Sequence, residues 1–358
     1  MKRTVILVSL VLLFLAGLIY FGLLLPAGVF KTIRPHFNGS ITTLDFSVAG
    51  PEDITIDQEH GLAFISADDR RAHASGNASD RGEIYLLDLS NSVYQPRAKA
   101  PPSLTDFHPH GISLWISPEG KRFLFVINHR QQNPAHVVER FEFRNDSLVH
   151  LESIADDKLM TSPNDLVAVG ERSFYVTNDH YFDKPGLSRT LEDYLQRAIA
   201  YVNYYDGKSF RKVAEGIAYA NGITVSPDQT KIIVAATTGR NVQIYQRDAG
   251  DGSLILDYIL PVNTGVDNIE VDTQGNLWIG CHPQLLKFVA HAKDPVNFSP
   301  SQVLKLIPEG TTYRVEEILL NDGTAYSGSS VAAVYQNTLL IGSVFEKSIL
   351  ICTLNHTP

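Results

Sequence analysis

Pro109-His110-Gly111-Ile112-Ser113-Leu114, followed by a turn at Glu119-Gly120 and by Phe123-Leu124-Phe125-Val126-Ile127-Asn128, is the stretch that decides the fold. It reads as an alternating strand, a tight polar turn and a second, more apolar strand. The same phrase starts again at Pro51 (Pro-Glu-Asp-Ile-Thr-Ile), Pro163 (Pro-Asn-Asp-Leu-Val-Ala) and Ala220 (Ala-Asn-Gly-Ile-Thr-Val). It returns at Val266 (Val-Asp-Asn-Ile-Glu-Val) and Gly328 (Gly-Ser-Ser-Val-Ala-Ala). The partner strands are expected at Leu62–Ser66, Phe123–Asn128, Ser173–Thr177, Lys231–Ala235, Leu277–Gly280 and Thr338–Gly342, with further turns at Pro227-Asp228 and Gln274-Gly275. Successive starts lie 58, 54, 57, 46 and 62 residues apart, which is room for a four-stranded blade and its loops. The expected fold is all-β, a six-bladed β-propeller. A β-sandwich with chance hairpins would need no such common phase.

In a propeller, equivalent positions of every blade sit at one height around the axis. The second residues of the six phrases are Glu52, His110, Asn164, Asn221, Asp267 and Ser329, and the third are Asp53, Gly111, Asp165, Gly222, Asn268 and Ser330. Glu52, Asn164, Asn221, Asp267 and Asn268 are hard oxygen donors, two of them carboxylates. Such a ring suits calcium, which takes about 6–8 oxygens, better than magnesium or zinc. Any one of these asparagines reads equally well as a strand-end cap; the five in phase read as a metal site. Asp53 and Asp165 form a smaller set, open between an inner cation and plain strand-end hydrogen bonds.

His129 follows His110 by 19 residues, so folding about Glu119-Gly120 sets the two opposite each other if no bulge shifts the register. Beside a cation the pair could relay a proton from water. At an ordinary hairpin end it would be two surface histidines, and spacing alone does not choose. His180 and His282 also follow strand ends, with no comparable partner in the pattern. No G-x-S-x-G elbow and no H-E-x-x-H helix occurs.

The remaining composition narrows the class. A net charge of -9 argues against a nucleic-acid partner. Two distant cysteines, Cys281 and Cys352, exclude a cysteine zinc site or a disulfide-dense scaffold. Lys2 and Arg3 precede an uncharged apolar run from Val5 to Leu25, longer than the core of a cleaved signal peptide. Residues 1–30 are therefore expected to be a transmembrane signal anchor, with residues 31–358 on the extracytoplasmic side. Cleavage would instead release the protein. One stretch, Leu187 to Ala200, has helical spacing and reads as a lid or membrane-contacting insert, or as a packing helix.

The quoted segments resemble the paraoxonases, calcium-dependent lactonase and arylesterase propellers. The resemblance runs through Gly61-Leu62-Ala63-Phe64-Ile65-Ser66, Asn128-His129, Thr177-Asn178-Asp179-His180-Tyr181-Phe182, Gly280-Cys281-His282-Pro283 and Gly342-Ser343-Val344-Phe345, from about residue 40 to Cys352. It implies two calcium ions. Glu52, Asn164, Asn221, Asp267 and Asn268 would hold a catalytic ion; Asp53, Asp165 and the Ile112 carbonyl would hold a structural one. His110 and His129 would be the histidine dyad, and the substrate a lactone or aryl ester, with Tyr219 and Phe345 as candidates for the apolar wall. A retained N-terminal hydrophobic segment also fits the resemblance. Two departures stand out. The family's ring-closing disulfide would pair Cys352 with a cysteine near Ile41-Thr42-Thr43, where none occurs, and the mouth loop Asp68–Arg81 fits poorly. Sugar lactones or phosphotriesters are the rival substrates. A non-catalytic binding propeller is the rival of another class, and the intact ligand ring argues against it.

Overall fold

The computed structural model describes residues 2–75, 81–182, 184 and 186–355. The apolar N-terminus forms a helix, Lys2–Ile19, continued by a π-helical turn, Tyr20–Leu24. Residues Arg3–Leu24 have a mean hydropathy of 2.7 and are largely exposed up to the last turn, and 22 residues span about 33 Å, enough to cross a bilayer.

Six antiparallel blades follow, five of four strands and one of five. Their innermost strands are Pro51–Asp57, Pro109–Ile116, Pro163–Ala168, Ala220–Val225, Gly265–Val271 and Ser329–Tyr335. Each touches the next, and the last touches the first, so the ring is closed. All six anticipated strand pairs are present, their ends within two residues of the expected ones.

The core explains why the second strand of each phrase is apolar on both faces. There is one hydrophobic cluster between every two neighbouring blades rather than a single centre. Phe123, Phe125 and Ile127 pack towards Leu166, Phe174 and Val176 of the third blade. Leu124 and Val126, of opposite parity on the same strand, pack back onto Phe64, Ile84 and Leu86 of the first. Truncating one of these, such as Phe125, to alanine removes about 3–5 kcal/mol.

The innermost pair of every blade shifts register at the same place. The breaks fall between Pro51 and Asp53, Pro109 and Ile112, Pro163 and Leu166, Ala220 and Ile223, Val266 and Ile269, and Ser329 and Val331. In the second to fifth blades the break contains both the second and third residues of the phrase; in the first it contains Glu52 and in the sixth Ser330. A bulge bends the strand and re-aims its side chains, which is how polar residues of both parities reach the tunnel.

The ring closes in the sixth blade, where Gly39–Asp45 supplies the outer strand against Ser348–Leu354. Ile41 lies opposite Cys352, and both cysteines are buried free thiols. Closure is thus by hydrogen bonds and packing.

The helical expectation is corrected in length. The helix is Leu187–Tyr194; Gln196 is left-handed (φ 50°), and Ala200 already pairs with Ile217 in the third blade. A second helix, Leu285–Lys293, was not anticipated from the sequence.

Candidate active site

The bulges bring Glu52, Asn164, Asn221 and Asp267 to the floor of one cavity of about 450 Å³, with His110 at its side. Asn268 is buried beside them and donates from Nδ2 to Glu52 Oε1 at 2.8 Å. The other two amides are pinned the same way. Asn164 Nδ2 donates to Asp179 Oδ2 (3.2 Å), and Asn221 Nδ2 donates to Thr237 Oγ1 (3.0 Å). With each NH₂ group engaged, the Oδ1 atoms of Asn164, Asn221 and Asn268 are left buried without a hydrogen-bond partner.

A buried carbonyl oxygen without a partner costs about 1–3 kcal/mol. Three at one site, with two buried carboxylates, make a donor set that fits a hard divalent cation. Oxygen-only ligands and this number favour calcium over zinc. The carboxylates are not equivalent. Burial would raise the Glu52 pKa, but His110, Arg70 and Asn268 outweigh it and hold it at about 2. Burial raises the Asp267 pKa, and the hydrogen bond from His282 only partly opposes this.

Asp53 and Asp165 lie deeper, and each accepts two backbone hydrogen bonds. Asp53 Oδ1 and Oδ2 take the N–H groups of Ile54 (2.9 Å) and Ile112 (2.7 Å). Asp165 Oδ1 and Oδ2 take those of Leu166 (2.7 Å) and Ile223 (2.8 Å). Strand-end hydrogen bonding is therefore present, and it ties each blade to the next. Burial, and then the neighbouring carboxylates, push both pKa values well above the ordinary range.

The two histidines meet. His110 Nδ1 lies 2.8 Å from His129 Nε2. They are not opposed ladder partners, because Pro109 pairs with Asn128 and the bulge follows. The chain continues to His136, which pairs with His129 on the adjacent strand and whose Nδ1 lies 2.9 Å from His129 Nδ1. Burial, then the adjoining His110 and His136, push the His129 pKa well down. A neutral His129 has one N–H, so the chain can run in either of two senses. In one, His110 Nδ1–H donates to His129 Nε2 and His129 Nδ1–H donates to His136, which leaves a lone pair on His110 Nε2. In the other both bonds reverse, and His110 Nε2–H faces Glu52 Oε2 at 3.6 Å.

His180 and His282, for which the sequence offered no histidine partner comparable to the His110–His129 pair, are each held by carboxylates instead. His282 Nε2 holds Asp267 Oδ2 at 2.8 Å and stacks on Phe288 (centroids 3.7 Å). His180 Nδ1 bonds Asp179 Oδ1 (2.6 Å), and its Nε2 bonds Asp193 Oδ1 (2.8 Å). Burial would lower the His180 pKa, but the two carboxylates prevail and push it up to about 9. The folded pKa exceeds the unfolded one, so this contribution is complete below about pH 6.5 and is lost as the pH rises through about 9. Thermal midpoints measured from pH 6 to 10 should fall with a component that His180→Gln removes, bounded at roughly 3 kcal/mol.

The upper cavity is apolar. Tyr219 and Phe345 line it as anticipated, with Phe288 and Leu285 from the unanticipated helix. Leu23 and Ala27 complete the wall from the end of the N-terminal segment. That end is docked: Ala27 O accepts from Leu285 N (3.0 Å), and Gly22 O accepts from Gln196 Nε2 (3.0 Å). Gly28 needs its φ of 72° there, and a Cβ would meet the Pro283 carbonyl oxygen at 2.1 Å.

An arylesterase family profile matches residues 36–354. Serum paraoxonase/arylesterase 2 of Gallus gallus is 40% identical over 310 residues, covering 84% of this chain and 85% of that protein. Serum paraoxonase/arylesterase 1 of Homo sapiens is 38% identical over 307 residues, with the same coverage. Among solved structures, a gluconolactonase from Xanthomonas campestris superposes with a TM-score of 0.52 at 15% identity, over 90% of this chain and 94% of its own. The calcium-binding protein regucalcin from Agrobacterium tumefaciens gives 0.51 at 14% identity, over 90% and 97%. At such identities these two share the fold.

Proposed function

The chain belongs to the arylesterase family and is a hydrolase; from that premise we propose that it opens lactones and cleaves aryl esters at the floor of the propeller cavity. The observation that carries this is the trio of buried, unpartnered amide oxygens of Asn164, Asn221 and Asn268 beside Glu52 and Asp267. These five residues would hold a calcium ion, which when bound supplies Lewis-acid polarisation of the substrate carbonyl. Asp179, Thr237 and His282 orient three of the ligands, as outer partners do in metal sites.

His110 is assigned as the base. Its Nε2 lone pair takes a proton from the attacking water, and Glu52 at 3.6 Å stabilises the resulting imidazolium. His129 accepts the proton on the other side and hands its own to His136, which leads charge away from the floor. The apolar wall of Phe288, Phe345, Tyr219 and Leu23 excludes bulk water and receives the acyl chain. An opened lactone keeps its alkoxide tethered, so no separate site for a leaving group is required. Asp53, Asp165 and the Ile112 carbonyl are proposed to share a second, structural calcium, which would neutralise two buried like charges.

A panel of lactones and aryl esters, assayed with and without chelator, tests the reading. Turnover that survives complete calcium removal would overturn the metal assignment, and inertness towards every carboxylic ester would overturn the substrate class.

We further propose that residues 1–30 stay attached as an anchor, with residues 31–358 beyond the membrane. The segment that lines the cavity with Arg189, Tyr194 and Gln196 also carries exposed Leu187 and Leu195, and its Gln196 holds the end of the N-terminal helix. The full-length protein should sediment with membranes and resist high-salt extraction, while a chain starting near Lys31 should be soluble. Full-length protein in the soluble fraction, still beginning at Met1, would refute this.

A further inference from the structure

Asp68, His73 and His108 form a cluster outside the calcium ring, in the mouth loop where the family pattern is lost. Asp68 Oδ1 lies 3.2 Å from His73 Nε2 and 3.1 Å from His108 Nδ1. All three donor atoms lie within 4.8 Å of one another. Ligands about 2.0–2.1 Å from a tetrahedral zinc ion are about 3.3 Å apart, so the two distances from Asp68 already match such a shell. Asp68 and His108 are 5% exposed, while His73 keeps an open side.

Each donor is held by a separate element. Asp68 ends the strand Leu62–Ala67, and its N–H donates to Gly50 O (3.3 Å). His73 is raised by the short helix Arg70–Ala74, whose N-cap Asp69 accepts from Ala72 N (3.0 Å). His108 is fixed by its N–H to Asn128 Oδ1 (2.8 Å). Gly82 leaves room, since a Cβ there would lie 2.9 Å from Asp68 Oδ1. A further feature points to a ligated imidazole. The other ring nitrogen of His108 faces Asp106 Oδ1 at 3.5 Å, and that carboxylate is itself fixed by Gln131 N (3.0 Å). Metal-bound histidines commonly give their second N–H to such a carboxylate.

We propose that Asp68, His73 and His108 bind a divalent transition-metal ion of the zinc type. Two imidazoles and one carboxylate favour zinc over calcium or magnesium, and water completes the shell. The ion staples the mouth loop of the first blade to the residue two places before His110. The site is separate from the calcium ring, and the His110-His129-His136 chain is the other imidazole cluster that could compete for the ion.

The test is zinc binding to the full-length protein in detergent with calcium present, read by competition with a chromogenic chelator. Wild type should take up one zinc per chain at the cluster, and zinc should raise its thermal midpoint. His73→Ala, at a half-exposed position, should weaken that binding at least about 100-fold and abolish the zinc-dependent rise. Asp106→Asn should weaken it about 10–100-fold. His136→Gln should bind as wild type does. Wild-type zinc affinity in His73→Ala, or no stoichiometric uptake by wild type, overturns the proposal. Loss of uptake in His136→Gln with retention in His73→Ala overturns it equally, by moving the ion to the histidine chain.

Discussion

Replacing Asp267 with alanine is expected to lower lactone and ester turnover by about 10³-fold or more, with the protein still folded. Asp267 is one of two carboxylates proposed to hold the cation that stabilises negative charge on the substrate oxygen, and losing a single oxyanion stabiliser costs about 10²–10³-fold. Its neighbour His282 loses a hydrogen bond but stays stacked on Phe288, so the thermal midpoint should move little. Asp165→Ala should do the reverse. It removes the acceptor for two buried backbone N–H groups, each worth about 1–3 kcal/mol when orphaned. It would also remove the inner ion's share of the rise in midpoint with calcium, which for a site at 100 times its Kd amounts to about 2.7 kcal/mol. Calorimetry of both variants across a calcium titration separates the two roles. Equal losses of activity and stability in both would mean a single coupled site. An Asp165→Ala protein with the wild-type calcium response would remove the inner ion.

His110→Gln should lower turnover by about 10²–10⁴-fold while leaving calcium affinity nearly unchanged. Glutamine can still donate to His129 but offers no basic nitrogen towards Glu52. His129→Gln should cost less, because it leaves His110 Nε2 in place and removes only the group behind it. Calcium titration followed by tryptophan fluorescence gives the affinity, and initial rates on one lactone give the turnover. Wild-type rates in His110→Gln would leave the cation and its ligands as the only chemical machinery.

The fold was legible because six phrases share one phase, and a propeller turns equal phase into equal height. The ring of donors was legible for the same reason, down to Glu52, Asn164, Asn221 and Asp267 on one floor. Asn268 was harder: it belongs to the third position, and only the bulge before Ile269 brings it beside Glu52. Bulges leave no mark in composition, so the mutual aim of His110 and His129 had to come from structure. His136 escaped notice because it sits across the next ladder, after a connection that breaks the 19-residue logic. His180 and His282 were undervalued because Asp193 and Asp267, which hold them alongside the adjacent Asp179 of His180, lie 13 and 15 residues away on other elements. The helix Leu285–Lys293 was missed because its apolar face looks towards a cavity rather than a continuous core.

The clasp of the sixth blade has a consequence for synthesis. Gly39–Asp45 leaves the ribosome long before its partner Ser348–Leu354. At ~5–20 residues per second the first strand waits on the order of 15–60 s for the last. Its side chains suit that wait: Ser40, Thr42 and Thr43 are hydroxylic and stay exposed in the finished ring, so the open edge is not greasy. The final strand is the opposite, because Ile349 and Leu350 complete the two cores that flank the sixth blade. A nascent chain halted before Ser348 therefore exposes both cores at one gap, where quality-control proteases and chaperones would meet it.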